Sequence, residues 1–131
     1  MKETLQPGIS GEVRHRVVTE NLVSFRLPDM PPVLSSPSLL SVMETAAYEA
    51  IRPHLDPGEV SVGMGFDFEH FAATPCGDTI VATARVTAVE GKQIRVDFEA
   101  RDGHELVARG KHVRAVVDLA QFKQRLAKKN Y

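Results

Sequence analysis

The pattern of hydrophobic and polar residues divides the chain into a first part built around one helix and a second part made of strands. Between residues 37 and 51 the apolar side chains recur at helical spacing and fill roughly half of the helix circumference. From residue 60 onward, apolar and polar residues alternate, which is typical of strands. The predicted strands of this second part cover residues 60–68, 79–89, 93–101 and 105–117.

Short turns connect the last three of these strands. The sequences at 90–92 and 102–103 each contain a glycine beside a charged residue, which favours tight connections between antiparallel neighbours. In the strand at 60–68 the apolar side chains occupy the even positions from Val60 to Phe68, which predicts a single buried face. A weak helical pattern over 118–128 ends the chain.

The region before and around the helix gives less regular signals. Residues 11–18 alternate and predict a half-exposed strand, and residues 22–27 predict a second, short extended segment. Three prolines in the next stretch predict a loop up to residue 36. Ser36 followed by proline predicts the helix start, with Ser36 as the capping residue, and a proline after Arg52 predicts its end.

A helix with so broad an apolar arc needs a sheet wrapped around it. An antiparallel sheet curled around one long helix is the α+β architecture called the hotdog fold, and the predicted order of elements fits it. The alternative is an open α+β sandwich with the helix on one face. With 131 residues the chain is expected to form a single domain, residues 1–131.

Composition and charge exclude several classes of function. The chain carries 16 basic and 17 acidic residues, so it lacks the positive charge expected of a nucleic-acid-binding protein. No segment has the pattern of a signal peptide or a membrane span, and the single cysteine, Cys76, suits a reducing compartment, so a cytoplasmic location is expected. Cys76 itself is interpreted as an incidental thiol. No metal-ligand spacing is present, and no metal site is predicted.

The strongest candidate for chemistry is Glu44. It falls at the border of the apolar helix face, beside Leu40 and Ile51. A carboxylate half buried among apolar side chains must be paired, hydrogen-bonded or shifted in pKa. Glu44 is therefore either a reactive group or a residue that simply borders the solvated face.

His70 and Ser36 are the next candidates. His70 continues the even positions of the strand at 60–68, which places it toward the helix, where it is either a general acid or base or a structural histidine. Ser36 precedes Glu44 by eight residues, or two helical turns, at the positive end of the helix. Its hydroxyl can cap the helix or contact substrate. A basic residue in the last strand, such as Arg114, could contact a substrate phosphate or remain solvated.

With these residues in place, the chain resembles the fluoroacetyl-CoA thioesterase family of hotdog proteins from about residue 31 to residue 122. The similarity lies in Val-Met-Glu-Thr-Ala-Ala at 42–47, Leu-Asp-Pro-Gly-Glu at 55–59, His70 with Ala-Ala-Thr-Pro at 72–75, Val-Glu-Gly at 89–91 and Arg-Ala-Val at 114–116. The spacing of hydroxyl, carboxylate and imidazole, 8 and 26 residues, also matches.

The resemblance implies a homodimer that binds acyl-CoA at the subunit interface, with no metal and no cofactor apart from the coenzyme A of the substrate. It leaves open whether dimers pair into tetramers, and whether the acyl group is carried by coenzyme A or by a carrier protein. Neither a nucleic acid nor a membrane is expected as a partner.

The resemblance also implies roles for individual residues. Glu44 would attack the thioester carbonyl or activate water, and His70 would act as acid or base or stabilise the oxyanion. Ser36 stands at a family threonine. Arg114 matches an arginine near the site, and Gly63 matches a glycine whose backbone approaches the substrate carbonyl.

The loop before the helix departs from the family pattern. Leu27 and Met30 stand where the fluoroacetyl-specific enzyme has a phenylalanine pair that forms a lid, so Met30 is expected to line the acyl site. Selectivity for a fluorinated acyl group does not follow without that pair.

The predicted activity is hydrolysis of a short-chain acyl-CoA. The alternatives are a non-catalytic acyl-CoA-binding dimer and, in third place, a hotdog hydratase or dehydratase. In the familiar pattern of the hydratases the histidine precedes the helix acid, whereas here Glu44 precedes His70.

Overall fold

The computed structural model describes residues 1–129, and its elements follow the predicted order. The strands are β1 (Ser10–Arg16), β2 (Glu59–His70), β3 (Thr79–Glu90), β4 (Gln93–Arg101) and β5 (Leu106–Asp118). The helices are α1 (Val23–Arg26), α2 (Ser36–Ile51) and α3 (Leu119–Ala127). Short 3-10 turns at Thr19–Asn21 and Arg52–His54 complete the list.

The five strands form one antiparallel sheet in the order β1-β3-β4-β5-β2, and α2 packs against its inner face. The hotdog fold predicted from the sequence is confirmed. Strands β1 and β2 form the two edges of the sheet. None of the helices within residues 1–129 has both the length and the apolar character needed to cross a lipid bilayer.

The core lies between the apolar face of α2 and the sheet. The buried residues of α2 are Leu39, Val42, Met43, Ala46, Ala47, Ala50 and Ile51. Small side chains allow a close approach, and at Gly11 of β1 an added Cβ would lie 2.6 Å from both the Ala46 carbonyl oxygen and the Ala50 nitrogen. The helix backbone therefore rests almost directly on this edge strand.

The prediction of an extended segment at 22–27 is wrong. Residues Val23–Arg26 form a short helical turn, closed by a bond from the Leu27 amide to the Val23 carbonyl. Only Leu22 keeps an extended pairing, an isolated bridge to Leu34. An extended segment needs a neighbouring strand for its backbone groups, and without one the local helical bond satisfies them.

The prediction of one buried face along β2 is also wrong. The pairing with β5 shifts between Gly63 and Gly65, so the strand contains a bulge at Met64. Before the bulge the odd position Ser61 is buried, whereas after it the even position Phe66 stacks on the inward-facing His112. The apolar Met64 is left 60% exposed. The bulge thus turns two different sets of side chains toward α2.

Candidate active site

A buried arginine connects α2 with β2 and β5. Arg114 is 4% exposed, and its Nη1 donates to Glu44 Oε2 at 3.0 Å. Its Nε donates to Ser61 Oγ at 2.9 Å, and its Nη2 to the Ser61 carbonyl oxygen at 2.7 Å. Burial lowers the pKa of the Arg114 guanidinium, while the Glu44 carboxylate acts in the opposite direction. Arginine stays charged even so, and Arg114 is directed at Glu44 rather than at solvent.

The Glu44 side chain is partly exposed, at 37%, because it lies at the border of the apolar face of α2 as its position in the sequence predicts. Arg114 holds one carboxylate oxygen, Oε2. Within residues 1–129 the other oxygen, Oε1, has no hydrogen-bond partner. The carboxylate is thus fixed by one oxygen and open at the other.

Gly63 provides the space in which this carboxylate sits. It faces Arg114 across the β2–β5 pair. A Cβ added at Gly63 would collide with Glu44 Oε2 and would also approach the rings of Phe66 and His112, at 3.4 and 3.5 Å. A residue with a side chain would therefore displace the carboxylate from its position on Arg114.

His112, which was not predicted as a site residue, also lies in this cluster. Its ring is 1% exposed, its Nδ1 lies 2.8 Å from the Gly65 carbonyl oxygen, and its Nε2 lies 3.2 Å from Arg114 Nη1. The available signal was its position two residues before Arg114, on the same face of a strand.

Ser36 and His70 form a second pair. The N-cap of α2 is Ser35, whose hydroxyl accepts from the Ser38 amide at 3.2 Å, so the prediction that Ser36 caps the helix is wrong. The Ser36 hydroxyl instead lies 2.8 Å from His70 Nδ1. Ser36 is left to contact the imidazole because its neighbour satisfies the helix end.

Burial favours the neutral form of the His70 imidazole. It lowers the pKa of the ring below the usual histidine value, while the Ala72 backbone acts in the opposite direction. The other ring nitrogen, Nε2, is buried and has no hydrogen-bond partner within residues 1–129. A buried nitrogen without a hydrogen-bond partner is suited to bind a ligand or to take part in proton transfer.

The Glu44–Arg114 cluster and the Ser36–His70 pair lie at different points along α2. Ser36 and Glu44 are separated by two turns, a rise of about 12 Å, and no hydrogen bond joins Glu44 to His70 among the described residues. Met30 lies in the loop before α2 and is 46% exposed. Cys76 is exposed and its thiol donates to the Val17 carbonyl, so the structure gives it no link to either group.

A groove of about 710 Å³ lies elsewhere, on the outer face of the sheet. Charged residues from neighbouring strands alternate in sign across it, as in the row Asp67, Lys111, Asp97 and Arg85. Opposite charges on neighbouring strands stabilise a sheet, so this row has a structural role without any ligand. The polar groups around α2 have no such explanation and are therefore the better candidate site.

The chain is similar to known thioesterases. The family model described as fluoroacetyl-CoA-specific thioesterase matches residues 17–120. The fluoroacetyl-CoA thioesterase of Streptantibioticus cattleyicolor is 36% identical over 101 residues, which are 77% of this chain and 73% of that protein.

Solved structures show the same fold. A structure of the fluoroacetyl-CoA thioesterase FlK superposes with a TM-score of 0.91 at 30% identity, covering 98% of this chain and 100% of that one. A hot-dog-like protein from Thermanaerovibrio acidaminovorans superposes with a TM-score of 0.87 at 26% identity, covering 95% and 93%. The chain belongs to the fluoroacetyl-CoA-specific thioesterase family.

Proposed function

We propose that this protein hydrolyses short-chain acyl-CoA thioesters to the free acid and coenzyme A, with Glu44 as the reacting carboxylate. The observation that carries the proposal is the one-sided fixation of Glu44. Arg114 fixes the carboxylate through Oε2, and Oε1 remains open to a substrate or a water molecule. The fluoroacetyl-CoA thioesterase names of the relatives support a short acyl group as substrate.

Glu44 can carry the reaction by two routes. In one, Oε1 attacks the thioester carbonyl, the C–S bond breaks, and water then cleaves the resulting anhydride. In the other, Oε1 takes a proton from water, whose oxygen attacks the carbonyl. In both, coenzyme A leaves as a thiolate that takes up the proton released by water. Single-turnover hydrolysis in H₂¹⁸O identifies the first route if water attacks the Glu44 carbonyl of the anhydride, because only that attack places solvent oxygen in the Glu44 side chain.

His70 and Ser36 supply the second part of the proposed site. A neutral imidazole with a free Nε2 can donate a hydrogen bond to the developing oxyanion or transfer a proton to the leaving sulfur. Ser36 fixes the ring through Nδ1. We propose that the substrate lies in the space between His70 and Glu44, where it would extend along two turns of α2.

We also propose that the active form is a homodimer joined along β2. This strand is an edge of the sheet, it is 12 residues long, and Met64 and Phe66 leave apolar surface exposed on it, at 60% and 42%. Long edge strands with exposed apolar residues need a covering partner. Light scattering at micromolar concentration tests this, and a monomeric mass would contradict it.

A non-catalytic acyl-CoA-binding protein is the second candidate. The observation in its favour is that Glu44 and His70 make no direct contact. Thiol release, measured with the purified protein over a panel from acetyl-CoA to long-chain acyl-CoA, separates the two. We expect turnover that is fastest with the shortest acyl groups. Binding of acyl-CoA without thiol release would reject hydrolysis and favour the binding protein.

A further inference from the structure

The buried imidazole of His112 lies between two aromatic rings. Its centroid is 4.3 Å from that of Phe66, with an interplanar angle of 11°, and 5.4 Å from that of Phe98, with an angle of 13°. Phenylalanine or leucine would fill such a place at lower cost, because burying a polar ring is unfavourable unless its nitrogens are hydrogen-bonded. The two nitrogens therefore need an explanation beyond packing.

The partners of His112 fix its tautomer. The Gly65 carbonyl oxygen can only accept, so Nδ1 carries the proton of that 2.8 Å bond. Arg114 can only donate, so Nε2 accepts from its Nη1. His112 is therefore a neutral imidazole that donates to β2 on one side and accepts from β5 on the other.

Both bonds of His112 end on parts of the candidate site. Gly65 closes the β2 bulge that begins at Gly63, against which the Glu44 carboxylate rests. The same Arg114 nitrogen, Nη1, contacts both His112 Nε2 and Glu44 Oε2. The position of that nitrogen is set on one side by the imidazole and on the other by the carboxylate.

We infer that His112 is a positioning residue for thioester hydrolysis: in its neutral form it aims Arg114 at Glu44 and holds the β2 bulge in place. This inference rests on the proposed function, since it names the group that keeps the reacting carboxylate fixed. His112 is assigned no contact with substrate, because its ring is buried among Phe66, Phe98, Gly65 and Arg114.

A consequence is that protonation of His112 disables the site. A proton on Nε2 removes the acceptor of the Arg114 bond and sets two like charges side by side. The charged groups around the ring are Arg114 from β5 and Glu44 from α2, while β2 and β4 contribute Phe66, Phe98 and the Gly65 carbonyl. Burial lowers the pKa of His112, and Arg114 lowers it further. Loss of activity on the acid side is therefore expected below the usual histidine range.

The test uses three substitutions at this position and one control. His112→Phe keeps the aromatic stack and removes both hydrogen bonds. His112→Gln can return an acceptor to Arg114, and His112→Asn can return a donor to Gly65. The control, Phe98→Leu, weakens the stack and leaves both hydrogen bonds. Folding of each variant is followed by circular dichroism and thermal unfolding.

We expect His112→Phe to lower kcat by about 10²-fold with KM changed only a few-fold, since misplacement of a reacting group by about 1 Å has an effect of this size. His112→Gln should recover part of kcat and lack the acid-side loss that His112 causes in the wild type. Phe98→Leu should lower the melting temperature while keeping the wild-type pH profile of kcat. A kcat within two-fold of wild type for folded His112→Phe at every pH would overturn the inference.

A measurement independent of activity separates this inference from the proposed function. The ¹⁵N chemical shifts of the His112 ring report its tautomer, and they should show Nδ1 protonated and Nε2 unprotonated at pH 7. The opposite tautomer or a charged ring would overturn the inference, even if His112→Phe did not fold. A wild-type protein with the expected tautomer but no thiol release would instead contradict the proposed function.

Discussion

The two sides of α2 meet different halves of the sheet. On one side the helix packs against β1, β3 and β4 through small apolar residues that are fully or almost fully buried, such as Ala46, Ala82 and Ala100. On the other side it faces β2 and β5 across buried polar residues, Ser61, His112 and Arg114. Apolar contacts stabilise a fold without a desolvation penalty for charges, whereas a buried charge must be paired and hydrogen-bonded to offset that penalty. The first half therefore holds the helix, and the second half holds a carboxylate in a defined position.

If the polar half carries the reaction, substitution of Glu44 should cause the largest loss of activity. Glu44→Gln keeps the size of the side chain but removes both the nucleophile and the base, so we expect thioester hydrolysis to fall by more than about 10²-fold. The matched control is Glu49→Gln on the same helix, where the carboxylate pairs with Arg52 on the surface at 3.0 Å. Loss of activity in both variants, or in neither, would remove the special role of Glu44.

A smaller effect is expected from Arg114→Lys. Lysine keeps the charge but cannot reach Glu44 and both Ser61 oxygens from one planar group. We expect kcat to drop by roughly 10-fold, because the carboxylate is held less well. Arg109→Lys makes the same change on the exposed face of the same strand and should leave kcat unchanged. Equal kcat values for the two variants would argue against positioning by Arg114.

The two neighbouring serines at the start of α2 offer a finer comparison. Ser35→Ala removes the N-cap and should lower the free energy of unfolding by about 1 kcal/mol with little change in kcat. Ser36→Ala leaves the cap and removes the bond to His70, so we expect a loss of a few-fold in kcat and nearly unchanged stability. Chemical denaturation and steady-state kinetics on both variants check this, and an exchange of the two outcomes would return the capping role to Ser36.

The smallest effect concerns the pH dependence of stability. Burial lowers the pKa of His70 and His112 in the folded protein, while the unfolded chain titrates near the ordinary value of about 6.5. The two histidines make their full contribution to the free energy of unfolding above a pH of about 6.5. This contribution declines as the pH falls toward their pKa values in the folded protein. The decline is at most about 1.4 kcal/mol per pH unit for each histidine. Urea unfolding between pH 7 and pH 5 should show it, and His112→Gln should flatten it. A stability that rises toward pH 5 would contradict this account.

Most of the apolar half was predictable from sequence, because regular alternation and helical spacing report burial directly. The start of α2 was predicted to within one residue, but Ser35 and Ser36 are equally good caps by type. The contact between Ser36 and His70, which joins residues 34 positions apart, decides between them. That contact depends on tertiary structure and leaves no mark on the local sequence.

The polar half was predicted only in part. Glu44 was recognised because it interrupts an apolar helix face. The bulge at Met64 was missed, since the alternation around it looks regular and only the two glycines at 63 and 65 signal a break in the strand. His112 was not predicted as a site residue. Its ring is covered by Phe66, and Phe66 reaches the inner face only because of the bulge, which the sequence pattern did not reveal.

The division between the two halves is tested most directly by one pair of substitutions, Gly11→Ala and Gly63→Ala, each measured for both kcat and the free energy of unfolding. At Gly11 the added Cβ would meet the helix backbone 2.6 Å away, which cannot give, so we expect a loss of about 1–3 kcal/mol in stability and a kcat close to wild type. At Gly63 the added Cβ would meet the end of the Glu44 side chain, which can move. Stability should then stay nearly unchanged while kcat falls by about 10²-fold. A Gly63→Ala protein that keeps wild-type kcat, or a Gly11→Ala protein that loses kcat while keeping its stability, would contradict the account.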